Sequence, residues 1–153
     1  MFRTPDRLFR VLAIAEAITW TILISAIIAR AVGAPGVVVT VGGGIHGLVF
    51  LGYGATAVLV ALNQRWHVGV AALAIGSAVV PYVTIPTEIW LHRTRRLAGE
   101  WRTEQTDDPR DAQWYDRLMR WFLQRPGVLA TLLIAAVVAL YVILLLAGPP
   151  GGK

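Results

Sequence analysis

Four times between Leu8 and Ala147 the sequence runs through twenty or more predominantly apolar residues. The stretches cover about Leu8–Ile28, Val37–Leu62, Val68–Leu91 and Val128–Ala147. A hydrocarbon core about 30 Å thick is crossed by about 20 such residues in helical form. Lipid offers backbone N–H and C=O groups no partner, so each run has to be helical. The reading is an all-α membrane protein, a four-transmembrane-helix bundle.

The boundaries carry matching chemistry. Arg30 follows the first run, and Gly33, Pro35 and Gly36 provide a turn. Asn63-Gln64-Arg65-Trp66-His67 separates the second and third runs, with Trp66 suited to the membrane interface. Pro126 stands where the fourth run begins, a position at which its missing N–H costs nothing. The tail from Gly148 to Lys153 is expected not to continue a helix. Arg3, Arg7 and Arg10 resemble the start of a signal peptide. The first run, however, is longer than a normal signal core and contains Glu16, so it is read as a retained span. Three units follow: a three-span domain over 1–96, a polar connector over 97–125, and a fourth span with its tail over 126–153.

Composition narrows function by exclusion. Charged residues are 15% of the chain and hydrophobic ones 56%, far from the balance of a soluble domain. The absence of cysteine excludes disulfides, thiolate metal sites and thiol nucleophiles. The net charge of +5 comes from arginines that flank the apolar runs, which suits an anionic membrane surface and gives no basic domain for nucleic acid. No HExxH or GxSxG occurs, and His46, His67 and His92 are single histidines at different depths. Neither a metal nor another cofactor is expected, and no enzymatic activity.

Residues 92–125 hold eight arginines and six acids and read mostly as a solvated connector. Within it Trp114, Leu118 and Trp121 or Phe122 recur at helical spacing, with Arg110, Asp116, Arg117 and Arg120 on other faces. This describes either an amphipathic helix lying at the interface or a short helix packed on the bundle. Arg10, Trp66, Trp114, Arg117 and Trp121 are the expected interface residues. Four spans would place both termini on one side. Arginine counts then favour a cytoplasmic 92–125 loop with both termini outside, against the pull of Arg3, Arg7 and Arg10.

Ionisable groups at bilayer depth cost about 2.5–3.5 kcal/mol on insertion scales and seek partners inside the bundle. Glu16, His46 and Glu88 are the three that stand out. Counting 1.5 Å per residue from the turn joining the first two runs puts Glu16 and His46 within about one helical turn in depth. Thr19 shares that level. A Glu16–His46 hydrogen bond or ion pair would serve a proton relay or ligand site, or would simply lock helix register. Thr84 and Tyr53 complete the candidate polar set. Glu88, His92 and Arg95 lie one turn apart and suggest a boundary salt bridge. His46, Phe50, Tyr53 and Ala57 share one face. Gly43 and Gly47 form a GxxxG, and Gly54 adds small surface for close helix packing. Pro81 and Pro86 each remove a backbone hydrogen bond and are expected to kink the third span.

In order, these residues resemble a known family. They are Phe9-Arg10 opening the first span, Glu16 within it, Gly44-Ile45-His46-Gly47 with Phe50 in the second, and Trp66 before the third. Pro81, Thr84 and Glu88 then precede an arginine cluster. Over about residues 8–96 the pattern is similar to DUF3817, a domain of unknown function in small, largely actinobacterial, integral membrane proteins. Tyr82-Val83 stands where the family often has an aromatic residue and a glycine. The resemblance implies a plasma-membrane protein and a shared polar constellation of Glu16, His46 and Glu88, and it supplies no activity. The expected partners are the lipid bilayer and either a membrane protein or further copies of the chain. The chain is accordingly read as an accessory or scaffold subunit of a transport or envelope complex. The alternative is a small transporter or proton-coupled binder.

Overall fold

A computed structural model describes residues 4–147, and all regular structure among them is helical. Helix α1 covers Pro5–Ala31 and α2 covers Val37–Gln64. Thr4 caps α1 by accepting from the Arg7 N–H, and Pro5 fills its first turn. Arg65 ends α2 in the left-handed conformation, with φ 51°. The two helices pack antiparallel along their length.

The expected third span is not one helix. Helix α3 stops at Val68–Gly76, a 3-10 turn follows over Ser77–Val79, and α4 begins anew at Thr84–Arg93. Pro81 lies in the gap, and Tyr82 adopts φ 67°, a left-handed conformation rare for an aromatic residue. Pro86 sits in the first turn of α4, where its missing N–H is tolerated. The run therefore breaks at Pro81 and Tyr82, where the chain reverses. Trp66, before α3, donates from Nε1 to the Arg96 carbonyl, after α4, at 2.8 Å. Both ends of the segment thus lie at one end of the bundle. Its tip reaches the level of Trp20, whose Nε1 donates to the Ala78 carbonyl at 3.2 Å. That level is roughly 22 Å along α1 from Pro5. The segment is a re-entrant hairpin, and among the described residues three helices, not four, are long and apolar enough to cross a membrane.

Helix α5 follows at Trp114–Leu123 and α6 at Pro126–Ala147. Tyr141 of α6 packs over Gly44 and Gly47 near the start of α2, so α6 runs antiparallel to α2. None of its residues is buried within the chain.

This path corrects the expected topology. Odd crossing number puts Arg7 and Arg10 at the same end as the 92–125 segment, and the end of α6 at the other. The two opposing arginine counts in the sequence become one. Eleven of the twelve described arginines gather at the hairpin's open end, with Arg30 alone at the opposite turn. Arg3 and the tail from Gly148 lie outside the described residues.

The core sits at that same end. Phe9, Ala13, Tyr53, Ala57, Val60, Ala74, Ala78, Leu91 and Leu97 pack together. The Phe9 ring lies 5.4 Å from Tyr53 and 6.0 Å from Trp66.

Candidate functional site

A layer of polar side chains is sealed between α1, α2 and the hairpin. Glu16, Tyr53 and Thr84 are fully buried, and Thr19 and His46 nearly so. Thr19, three residues after Glu16, donates to the Glu16 carbonyl at 3.0 Å and meets His46 Nδ1 at 3.1 Å. Trp20 covers the imidazole with its ring centre 4.4 Å away. Thr84, the first residue of α4, lies 3.2 Å from the Ala13 carbonyl and 3.4 Å from Glu16 Oε2. Its one proton favours the shorter contact. Tyr53 donates to the Ala74 carbonyl at 3.0 Å and touches Ser77 Oγ at 3.0 Å, fastening the hairpin to α2.

Glu16 and His46 thus share a layer, as their depths predict, but they do not bond to each other. Thr19 occupies His46, and Glu16 faces the hairpin. Glu16 Oε1 is buried with no hydrogen-bond partner among the described residues.

Glu88 belongs to a separate cluster nearer the surface. It accepts from Arg10 Nε at 2.8 Å across the α1–α4 contact, and His92 Nδ1 lies 2.9 Å from Asp6 Oδ1. The boundary salt bridge joins Glu88 to another helix, not to His92 or Arg95 on its own. Asp6, Glu88 and His92 bring ligand atoms within 4.8 Å of one another. Arg10 already occupies Glu88, which makes the cluster an ion-pair seam and not a cation cage.

The close-packing glycines also differ from expectation. A Cβ on Gly42 would stand 3.1 Å from Ala26 Cβ, and one on Gly44 would stand 2.9 Å from the Tyr141 hydroxyl. Gly42 admits α1 and Gly44 admits α6, so the triple glycine serves two faces. Gly47 contacts Tyr141 at an ordinary 3.5 Å, and Gly43 only Leu23 at 3.9 Å. Gly54 meets nothing within 4 Å and lines an apolar cleft of about 350 Å³ between α2, the hairpin and α6.

One feature of the polar connector is absent from the sequence reading. Asp111, Asp116 and Arg120 are buried. Arg65, at the end of α2, reaches Asp108 Oδ2 at 2.7 Å, Asp116 Oδ2 at 2.6 Å and also Asp111 Oδ1. Arg102 donates to Asp116 Oδ1 at 3.0 Å and to the Leu62 carbonyl at 2.9 Å, closing the end of α2. Arg120 donates to the Asp111 carbonyl at 2.7 Å. Burial would lower the Arg65 pKa, but the hydrogen bonds it donates to Asp116 and Asp111 outweigh it and the value rises. The Thr106 N–H and hydroxyl, with Arg65, hold the Asp111 carboxyl down at about 2. Arg110 is the main cause of the lowered Asp108 value. Burial opposes the ionised form of Asp116, yet Arg102 and Arg65 still lower its pKa.

This network orients α5. Its polar face, Asp116 and Arg120, turns inward, while Trp114, Tyr115, Leu118 and Trp121 stand 44–70% exposed. The helix packs on the bundle by its charges and presents its aromatic residues outward.

Among known proteins, the family described as "Domain of unknown function (DUF3817)" matches residues 7–93. A Streptomyces coelicolor protein named "Putative membrane protein SCO5905" is 37% identical over 93 residues. The match covers 60% of this chain and 11% of that relative. No solved structure matches the chain. The matched residues build α1, α2 and the hairpin, and so carry the whole buried polar layer. They make up more than half of the sequence, and the chain belongs to the DUF3817 family of unknown function.

Proposed function

We propose that the chain is a non-enzymatic accessory subunit of a larger transport or envelope assembly in the plasma membrane, with its arginine-rich end in the cytoplasm. One observation carries this reading: the irregular tip of the hairpin. Val80 and Tyr82 are about half exposed, 52% and 45%, at a depth well inside the span of α1. Irregular backbone at bilayer depth is tolerated only against protein or a water-filled cavity. Thr21 Oγ1 and the Tyr82 hydroxyl, 3.3 Å apart, add exposed polar atoms to the same patch. A neighbouring membrane protein, or a second copy, covers it. The Streptomyces relative supports this, because its matching segment is a small part of a far longer membrane protein. Eleven clustered arginines support the orientation.

The chain has no native cysteine, so Val80→Cys or Tyr82→Cys can carry a photoactivatable crosslinker in native membranes. Adducts to a membrane protein are expected. Adducts to lipid alone would refute the reading.

A second reading, a small transporter or proton-coupled binder using Glu16, His46 and Glu88, is favoured by the unpartnered Glu16 Oε1. It requires that Glu16→Gln and His46→Ala abolish function at normal levels of folded protein. Loss of the folded protein instead would mark these residues as structural.

A further inference from the structure

The open end of the hairpin carries charge that the protein does not use. Among the described residues, the side chains of Arg7, Arg93, Arg95 and Arg117 make no ion pair or hydrogen bond, and all four are exposed. The acids nearest them are taken. Asp6 faces His92, Glu88 holds Arg10, and Asp108, Asp111 and Asp116 are enclosed by Arg65, Arg102, Arg110 and Arg120. Glu100, Glu104 and Asp107 are exposed on the loop before α5.

Indole rings accompany the arginines. The Arg96 guanidinium lies 5.0 Å from the centre of the Trp90 ring, and that of Arg125 lies 4.4 Å from Trp121. Trp90, Trp114 and Trp121 are 38–70% exposed. Trp90 lies in the last turn of α4, and Trp114 and Trp121 lie on the outward side of α5. Between Thr4 and Asp6 on one side and His92, Arg93 and Arg95 on the other lies an open cleft of about 540 Å³.

We propose that this end of the bundle binds the headgroups of anionic phospholipids. The unpaired guanidinium groups of Arg93 and Arg95 take phosphate in the cleft, as planar forked donors do. Arg117 takes a second headgroup beside α5, and the exposed indoles seat at headgroup depth. The enclosed aspartates matter to this surface, because they turn the aromatic side of α5 toward the leaflet and leave Arg117 uncancelled.

The test uses the full chain reconstituted in phosphatidylcholine vesicles. A fraction of the lipid is replaced by dibrominated phosphatidylglycerol or dibrominated phosphatidylcholine, and quenching of tryptophan emission is read. Preferential quenching by the brominated phosphatidylglycerol is expected. Arg93→Gln, Arg95→Gln and Arg117→Gln should each reduce the preference, by up to about fivefold per arginine. Arg30→Gln, at the opposite end, should leave it unchanged. Equal quenching by the two lipids, or equal loss in Arg30→Gln and the three variants, would overturn the proposal.

Discussion

The bond from Trp66 Nε1 to the Arg96 carbonyl joins residues thirty apart in sequence and closes a segment that enters the bundle and returns to the same end. It separates two topologies that hydropathy alone cannot distinguish. With a re-entrant hairpin, cysteines placed at Arg7 and Gln105 are labelled by an impermeant maleimide from one side of the membrane. A cysteine at Val32, 82% exposed in the opposite turn, is labelled only from the other. Four crossings would instead put Arg7 and Gln105 on opposite sides.

The hairpin is held from within by the Tyr53 hydroxyl. Tyr53→Phe removes its bond to the Ala74 carbonyl, which keeps the Ser77 hydroxyl at 2.7 Å, so the cost is that of one buried hydrogen bond, about 0.5–1.5 kcal/mol. Thermal unfolding in mild detergent should shift down. A cysteine at Val79 should react faster, because the loosened element is the hairpin and not α1 or α2.

The glycines of α2 should not respond alike. Gly42→Ala forces a methyl against Ala26 and the backbone of α1, and overpacking of this kind costs about 1–3 kcal/mol. Gly54→Ala enters open space and should be neutral or slightly stabilising. Melting temperatures of the two variants in one detergent decide the matter, and equal losses would contradict the packing described above.

Acid should release α5 before it affects the spans. Asp108, Asp111 and Asp116 all have folded values below the ordinary carboxylate range, Asp111 at about 2. A depressed carboxylate stabilises the fold above its unfolded value near 4, and that contribution is lost as pH falls toward the folded value. Emission from Trp114 and Trp121, or proteolysis within 99–113, should therefore change between about pH 4 and about pH 2. Arg65→Lys should move the transition to higher pH, since one ammonium cannot span three carboxylates as the guanidinium does.

Three of the four apolar runs became the helices the sequence describes, because length and composition are enough to specify a crossing. The third did not, because hydropathy records that Val68–Leu91 is apolar and not that it turns back. Pro81 and Pro86 were visible, with four residues between them. Only the φ of Tyr82 and the contact of Trp66 with Arg96 reveal a reversal where a kink was expected. Depth counting found the layer of Glu16 and His46, since helical rise fixes height. It could not fix azimuth, which is why Thr19, on the same helix, takes the histidine. The aspartate network was hidden for another reason. Its partners lie 43–51 residues from Arg65, and an evenly charged segment reads as solvated unless the fold brings its charges together.

Helix α6 packs on the spanning region mainly through α2, and none of its residues is buried within the chain. It is an appendage to a unit that closes without it. The family match ends at residue 93, so this crossing lies outside the shared fold and rests on it at the small surface of Gly44.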